Sequence, residues 1–151
     1  MSATSQPKRV YLDTSFLVSL FLNELRSQAA EQWIIGEQPL VVLSPLNLLE
    51  FENALNLRIF FGSIDNAQAS HVRNDFRQKL KSELYTVASE STEVWEQASK
   101  LSLIHSPTLG TRSLDIWHVA FAIVLETRVF GSFDERQRKL ASQVGLVVNG
   151  I

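Results

Sequence analysis

The sequence predicts an α/β fold, with a central, mainly parallel sheet of four to five strands flanked by helices on both faces. Two observations carry this reading. Short runs of branched and aromatic residues alternate along the chain with longer stretches of helical periodicity. Strands that alternate with helices pair in parallel, because each helix returns the chain to the edge it left. The 151 residues suit one domain with its own core. Residues 1–151 are therefore read as a single domain, with the polar residues 1–7 as a flexible start.

The elements follow in order. Lys8–Leu12 is apolar at its end and reads as the first strand. Asp13-Thr14-Ser15 offers capping side chains for a helix. Phe16–Phe21 is strongly apolar, and Ala29, Ala30, Trp33 and Ile34 continue at helical spacing until the breaker Gly36–Pro39. Leu40–Leu43 is the second strand. Ser44-Pro45 then opens a helix, with Ser as cap and Pro in the first turn, which runs to about Phe61 and stops at Gly62. Asp65–Leu80 is a more polar helix, and Leu84–Val87 a third strand. Ser91–His105 is helical, with Val94, Ala98, Leu101 and Ile104 on one stripe. Pro107 and Gly110 make Ser106–Ser113 a loop. Leu114–Glu126 is a helix, Val129–Gly131 a short strand, Asp134–Val144 a helix and Leu146–Val148 the last strand. No repeat, low-complexity stretch or linker interrupts the series.

Composition bounds the function. Hydrophobic content of 45% and charged content of 20% are those of an ordinary globular protein. No apolar run reaches the roughly 18–20 residues of a membrane span, and no apolar signal segment precedes a cleavage site. Without cysteine there is no disulfide framework and no thiolate metal site, which fits a cytoplasmic protein. The net charge of −2 means that any nucleic-acid binding must come from a local basic patch.

Four carboxylates stand where such a fold gathers them at one edge: Asp13, Glu50, Asp115 and Asp134. Open parallel sheets bind ligands beyond the carboxyl ends of their strands. Asp13 directly follows the first strand, and Asp134 follows Val129–Gly131 by a few residues. Asp115 opens the helix leading back into that strand. Glu50 lies about one and a half turns into the helix after the second strand, and its side chain leans toward the helix start. Clustered carboxylates need a cation to offset their repulsion, and an all-oxygen set suits Mg²⁺ or Mn²⁺. Each residue also has a plainer reading. Asp13, Asp115 and Asp134 serve equally as helix caps or first-turn acids. Glu50 and its neighbour Glu52 are not separated by periodicity.

These same residues carry a resemblance. Val10-Tyr11-Leu12-Asp13-Thr14-Ser15-Phe16-Leu17-Val18 resembles the opening strand and first acidic ligand of the PIN domain (PilT N-terminus) ribonucleases. Leu49-Glu50-Phe51-Glu52-Asn53-Ala54-Leu55 resembles the second acidic segment and selects Glu50 over Glu52. Thr111-Arg112-Ser113-Leu114-Asp115-Ile116-Trp117-His118-Val119-Ala120 resembles the third. Gly131-Ser132-Phe133-Asp134-Glu135-Arg136-Gln137 resembles the closing motif, with Ser132 where the family often has Thr. The likeness spans nearly the whole chain, although Ile64–Glu90 matches only in helical character. It implies a Rossmann-like three-layer sandwich and Mg²⁺- or Mn²⁺-dependent cleavage of RNA. Small stand-alone members of this kind are often VapC-like toxins, each inhibited by a small antitoxin protein, and many form homodimers.

The expected chemistry places Asp13 and Asp115 as central ligands, with Glu50 and Asp134 on a second ion directly or through water. Ser15 and Ser132 are expected to hydrogen-bond the ligands, Ser15 being equally plausible as a helix cap. Arg112 reads either as a phosphate contact or as a salt bridge to a neighbouring acid. His118 reads as a metal or phosphate contact, or as a satisfied packing residue. His71 and His105 share no zinc-ligand spacing with it. The runs Arg73, Arg77, Lys79, Lys81 and Arg136, Arg138, Lys139 are either RNA-binding surfaces or solvated helix faces. Phe16, Leu17, Leu20 and Phe21, with Phe51, Leu55, Phe60 and Phe61, exceed what one small core needs: one set reads as a dimer or antitoxin surface, against the plainer reading of core packing for most of them. Two other classes remain in view: a binding module that has lost catalysis, and a metal-dependent phosphatase acting on small molecules.

Overall fold

In the computed structural model, which describes residues 6–150, twelve elements follow in chain order. They are β1 (Arg9–Leu12), α1 (Thr14–Phe21), α2 (Ser27–Glu37), β2 (Leu40–Leu43), α3 (Pro45–Phe60), α4 (Asn66–Lys81), β3 (Tyr85–Val87), α5 (Thr92–Leu109), α6 (Ser113–Val124), β4 (Val129–Gly131), α7 (Glu135–Gln143) and β5 (Val147–Val148). The strands form one sheet in the order β3-β2-β1-β4-β5. Every neighbouring pair is parallel. The expected flexible start at residues 1–7 lies, for residues 1–5, outside the described residues.

The strand order fixes where each helix goes. The chain moves outward from β1 to β2 to β3, then crosses to β4 on the other side of β1 and outward again to β5. Right-handed crossovers running in opposite directions place their helices on opposite faces. Two cores result. Val10, Leu12, Val41 and Leu43 pack with Phe16, Leu17, Phe51, Leu55, Val72 and Phe76 on the α1–α4 face. Tyr11 and Phe130 pack with Leu101, Trp117, Phe121 and Leu140 on the α5–α7 face. Alternation along β1 sends Val10 and Leu12 one way and Tyr11 the other, as the two-residue strand period requires. The arrangement is a three-layer sandwich. The strand order reverses between β1 and β4, which makes a crevice at their carboxyl ends.

Two expectations about local structure are corrected. The apolar stretch after Asp13 forms two helices, not one. α1 ends at Phe21, and the capping Leu22 that follows has an extended backbone. The buried Ser27 hydroxyl donates to the Leu22 carbonyl and accepts from the Glu24 amide, while Glu24 pairs with Arg58 of α3. These bonds compete with the helical ladder and turn the chain. The second correction lies in α5, which continues through Pro107 to Leu109. Proline costs a helix one hydrogen bond and a clash, yet here it sits in the final turn. The helix closes at Gly110, whose positive φ of 62° provides a left-handed cap.

Of the aromatic and leucine surplus, Phe16, Leu17, Phe51 and Leu55 are core, and Leu20 and Phe21 pack against it. Phe60 and Phe61 are exposed, at 80% and 73%, where α3 ends. Among the described residues no helix is long and apolar enough to cross a membrane.

Candidate active site

Asp13 occupies the end of β1, at the point where the strand order reverses, and is fully buried. Its backbone amide bonds the Gly131 carbonyl at 2.9 Å, tying β1 to β4. Its carboxylate caps α1 by accepting from the Phe16 amide at 2.9 Å. It also accepts from the Ser15 hydroxyl at 2.7 and 2.9 Å and from the Ser132 hydroxyl at 2.5 Å. Burial pushes its pKa up, against the lowering effect of these bonds. The cap and site readings of Asp13 therefore describe one geometry. Gly131 makes the closure possible: a Cβ there would lie 2.5 Å from Leu12 Cδ2 and 3.5 Å from the Phe16 ring.

Ser132 links Asp13 to Asp134, because its hydroxyl also accepts from the Asp134 amide at 3.0 Å. Asp134 caps α7 through the Gln137 amide at 3.0 Å. The Gln137 side chain in turn donates to Asp115 Oδ1 at 3.1 Å. Asp115 is buried in the first turn of α6. Arg112 Nε donates to its Oδ2 at 3.3 Å, and the same guanidinium lies 4.0 Å from Asp134 Oδ2. Of the two readings of Arg112, the salt bridge is the one present here. Its side chain is well exposed.

Glu50 and Glu52 part company on α3. Glu52 pairs with Arg73 at the surface. Glu50 accepts from Thr14 Oγ1 at 2.7 Å and meets His118 Nε2 at 2.5 Å. Burial acts to raise the Glu50 pKa, but the His118 bond and charge and the Thr14 hydroxyl outweigh it and leave it lowered. A carboxylate only accepts, so Nε2 donates to Glu50, and Nδ1 lies 2.5 Å from the Tyr11 hydroxyl. Tyr11 Oη lies 3.0 Å from Ser44 Oγ. Burial raises the Tyr11 pKa well above its ordinary value, so that it stays a neutral donor. His118 is thus a buried, satisfied residue holding Glu50.

The structure joins Asp13, Asp134 and Asp115 in one hydrogen-bonded chain through Ser132 and Gln137, with Arg112 bonded to Asp115 and 4.0 Å from Asp134. Glu50 connects through Thr14, the residue after Asp13. Among the described residues, however, no group of three or more His, Cys, Asp or Glu side chains is drawn close enough to hold a metal ion. Hydroxyl, amide and guanidinium groups stand between the carboxylates. Sequence reasoning passed over Thr14, Tyr11, Asn47 and Gln137. Asn47 bonds the Leu12 carbonyl and Thr14 Oγ1, both at 3.2 Å. Asn47 and Gln137 each lie three residues after a capping Ser or Asp, a first-turn spacing that marks them as helix-start side chains.

The donor chemistry fits a hard divalent cation. The ligands available are oxygens, and Asp13 is a buried carboxylate hydrogen-bonded by hydroxyls and an amide, with no basic side chain bonded to it. Beside Asp115, Gln137 Oε1 is buried without a hydrogen-bond partner, an acceptor left for a cation or its water. The basic runs are partly committed. Arg73 is held by Glu52 and Asn56. Arg138 donates to the Ser132 carbonyl at 2.9 Å and to Asn149, and Lys139 pairs with Glu135.

The model of the PIN domain family matches residues 10–143, and the chain belongs to that family. Solved structures of similar fold include VapC20 of Mycobacterium tuberculosis, described as a sarcin–ricin loop cleaving toxin. It is 22% identical, with a TM-score of 0.68 over 91% of this chain and 96% of that one. FitAcB from Neisseria gonorrhoeae is 14% identical, with a TM-score of 0.66 over 93% of this chain and 96% of that one. A toxin–antitoxin complex from Klebsiella pneumoniae is 16% identical, with a TM-score of 0.64 over 93% and 96%. At these identities the likeness is one of fold. No match is found among curated proteins.

Proposed function

We propose that the chain is a Mg²⁺- or Mn²⁺-dependent endoribonuclease that hydrolyses RNA phosphodiester bonds, acting as the toxin of a toxin–antitoxin pair. The observation that carries this is Asp13: a carboxylate buried at the switch point of a parallel sheet, held by neutral donors and linked to two further acids. A buried charge of this kind is costly unless a cation offsets it. Asp13 and Asp115 would hold the ion, with Glu50 and Asp134 binding directly or through water. When bound, such an ion activates water and stabilises charge on the phosphorane-like transition state.

The chain's own groups do the rest. Ser15 and Ser132 fix both oxygens of Asp13, so that it meets a cation without reorganising. Gln137 holds Asp115, and Thr14 and His118 hold Glu50. Arg112 takes a phosphate oxygen of the substrate, exchanging its long contacts to Asp115 and Asp134 for a charge-assisted bond. Exposed cations on α4, Arg77 and Lys81 among them, attract the RNA backbone. The partners we assign are RNA, a small antitoxin protein and a second copy of the chain, in the cytoplasm. Support for the antitoxin comes from similar structures described as a toxin and as a toxin–antitoxin complex.

A second reading, a binding module on the same fold, is favoured by one observation. Arg112 lies between Asp115 and Asp134, and among the described residues no carboxylate triad is closed. Titration with Mn²⁺ separates the two: binding that is lost in Asp13→Asn supports the nuclease, and folded wild type that takes up no Mn²⁺ supports the module. Activity on single-stranded RNA with none on a generic phosphate ester separates the nuclease from a phosphatase.

A further inference from the structure

We infer that the hollow between the starts of α3, α5 and α6 is a base-binding subsite, taking one unstacked RNA base with an exocyclic amine beside the scissile phosphate. The inference rests on the nuclease reading and names where its substrate's base goes.

The hollow has a volume of about 240 Å³ and is lined by residues including Pro45, Leu49, Glu90, Trp95, Leu114 and Trp117. Pro45 directly follows the cap after β2, and Glu90 follows β3 by three residues. It therefore opens at the carboxyl edge of the sheet, where ligands of this fold class bind. Leu49 precedes Glu50, and Leu114 precedes Asp115. The hollow thus shares the starts of α3 and α6 with the candidate site. Drug-sized ligands fill pockets of roughly 300–1,000 Å³, so this one is sized for a single ring system.

Its surface is apolar but exposed. Leu49, Trp95 and Leu114 are 67%, 54% and 50% exposed, around a wall completed by Trp117, which meets Trp95 edge to face. Single-stranded RNA is gripped by stacking its splayed bases on such aromatic and apolar surfaces. Charge separates base from backbone. The exposed carboxylate of Glu90 repels a phosphate and accepts from an exocyclic amine, whereas Arg112, two residues before Leu114, is the cation for the phosphate. A partner protein's aliphatic side chain fits the walls but leaves the Glu90 carboxylate without a donor.

The test compares wild type with Trp95→Ala, Leu49→Ser and Glu90→Gln. The substrates are single-stranded oligoribonucleotides differing only in the bases flanking the cut, including one with an abasic ribose there. Wild type is expected to prefer A or C over U. Trp95→Ala and Leu49→Ser lower kcat/KM by roughly 5–100-fold on the preferred substrate and not on the abasic one, and Glu90→Gln flattens the preference. Cleavage that all three variants leave unchanged overturns the subsite and gives the hollow to a protein side chain. If wild type cleaves nothing, the nuclease reading falls, and anisotropy with the same labelled oligonucleotides decides the subsite. Weakening by Trp95→Ala confined to base-bearing RNA sustains it, and equal binding by both proteins overturns it.

Discussion

Replacing His118 with Phe tests the claim that this buried ring holds Glu50 in place. The ring is 1% exposed and packs against Tyr11 and Trp117, so phenylalanine keeps most of the volume and removes two hydrogen bonds. One goes to a carboxylate, worth roughly 1.5–3 kcal/mol, and one to a neutral hydroxyl, worth about 0.5–1.5 kcal/mol. Neither partner is stranded, since Glu50 keeps Thr14 and Tyr11 keeps Ser44. The expected loss is about 2–4.5 kcal/mol, from which a domain of this size falls in Tm by roughly 4–18 °C. Urea unfolding should show the midpoint falling at constant m. In a double-mutant cycle, Tyr11→Phe should cost less in the His118→Phe background than in wild type, because the bond is already gone. Stability within about 0.5 kcal/mol of wild type, the range of surface substitutions, would refute the reasoning.

Other outcomes follow from single residues. Asp13 has a raised pKa when folded, so the folded state binds more protons than the unfolded one above the ordinary carboxylate range. Stability from this group is present at low pH and lost as pH rises through the shifted value. Asp13→Asn should therefore lose cleavage while gaining stability relative to wild type at neutral pH, an advantage that shrinks on acidification; denaturant melts across pH check it. Glu50 has the opposite sign: its lowered pKa gives stability above the ordinary carboxylate range that is lost as pH falls, so Glu50→Gln should destabilise more at neutral pH than in acid. Phe51→Ala, in a buried site between Phe21 and Phe76, should cost about 3–5 kcal/mol in thermal unfolding. Arg138→Ala frees the Ser132 and Asn149 carbonyls and should cost roughly 1.5–3 kcal/mol, with a fall in activity as Ser132 loses its fixed place.

The fold was legible because its signals are local. The apolar runs at 40–43 and 129–131, the cap at Ser44-Pro45 and the stop at Gly62 are each decided within a few residues. The division of the first helix was not, because Ser27 and the Glu24–Arg58 pair act across a turn and onto α3. Pro107 misled for a related reason: a proline breaks a helix interior but is tolerated where the helix already ends. The placement of Asp13, Asp115 and Asp134 at one edge followed from strand ends and helix starts. The ties between them did not. The link from Tyr11 to His118 depends on which face of β1 the tyrosine takes and on α6 packing beneath it, and no pattern in either segment announces it. Gln137 and Asn47 were closer to reach, since their spacing from a cap is visible in the sequence.

The most direct test of the central claim is cleavage of pooled cellular RNA with Mg²⁺ or Mn²⁺, with wild type and Asp115→Asn side by side. In that variant Gln137 can still bond the remaining carbonyl oxygen, so the fold is expected to stand. The account predicts discrete, metal-dependent fragments from wild type and none from Asp115→Asn. Equal cleavage by both proteins, or none by folded wild type, would contradict it.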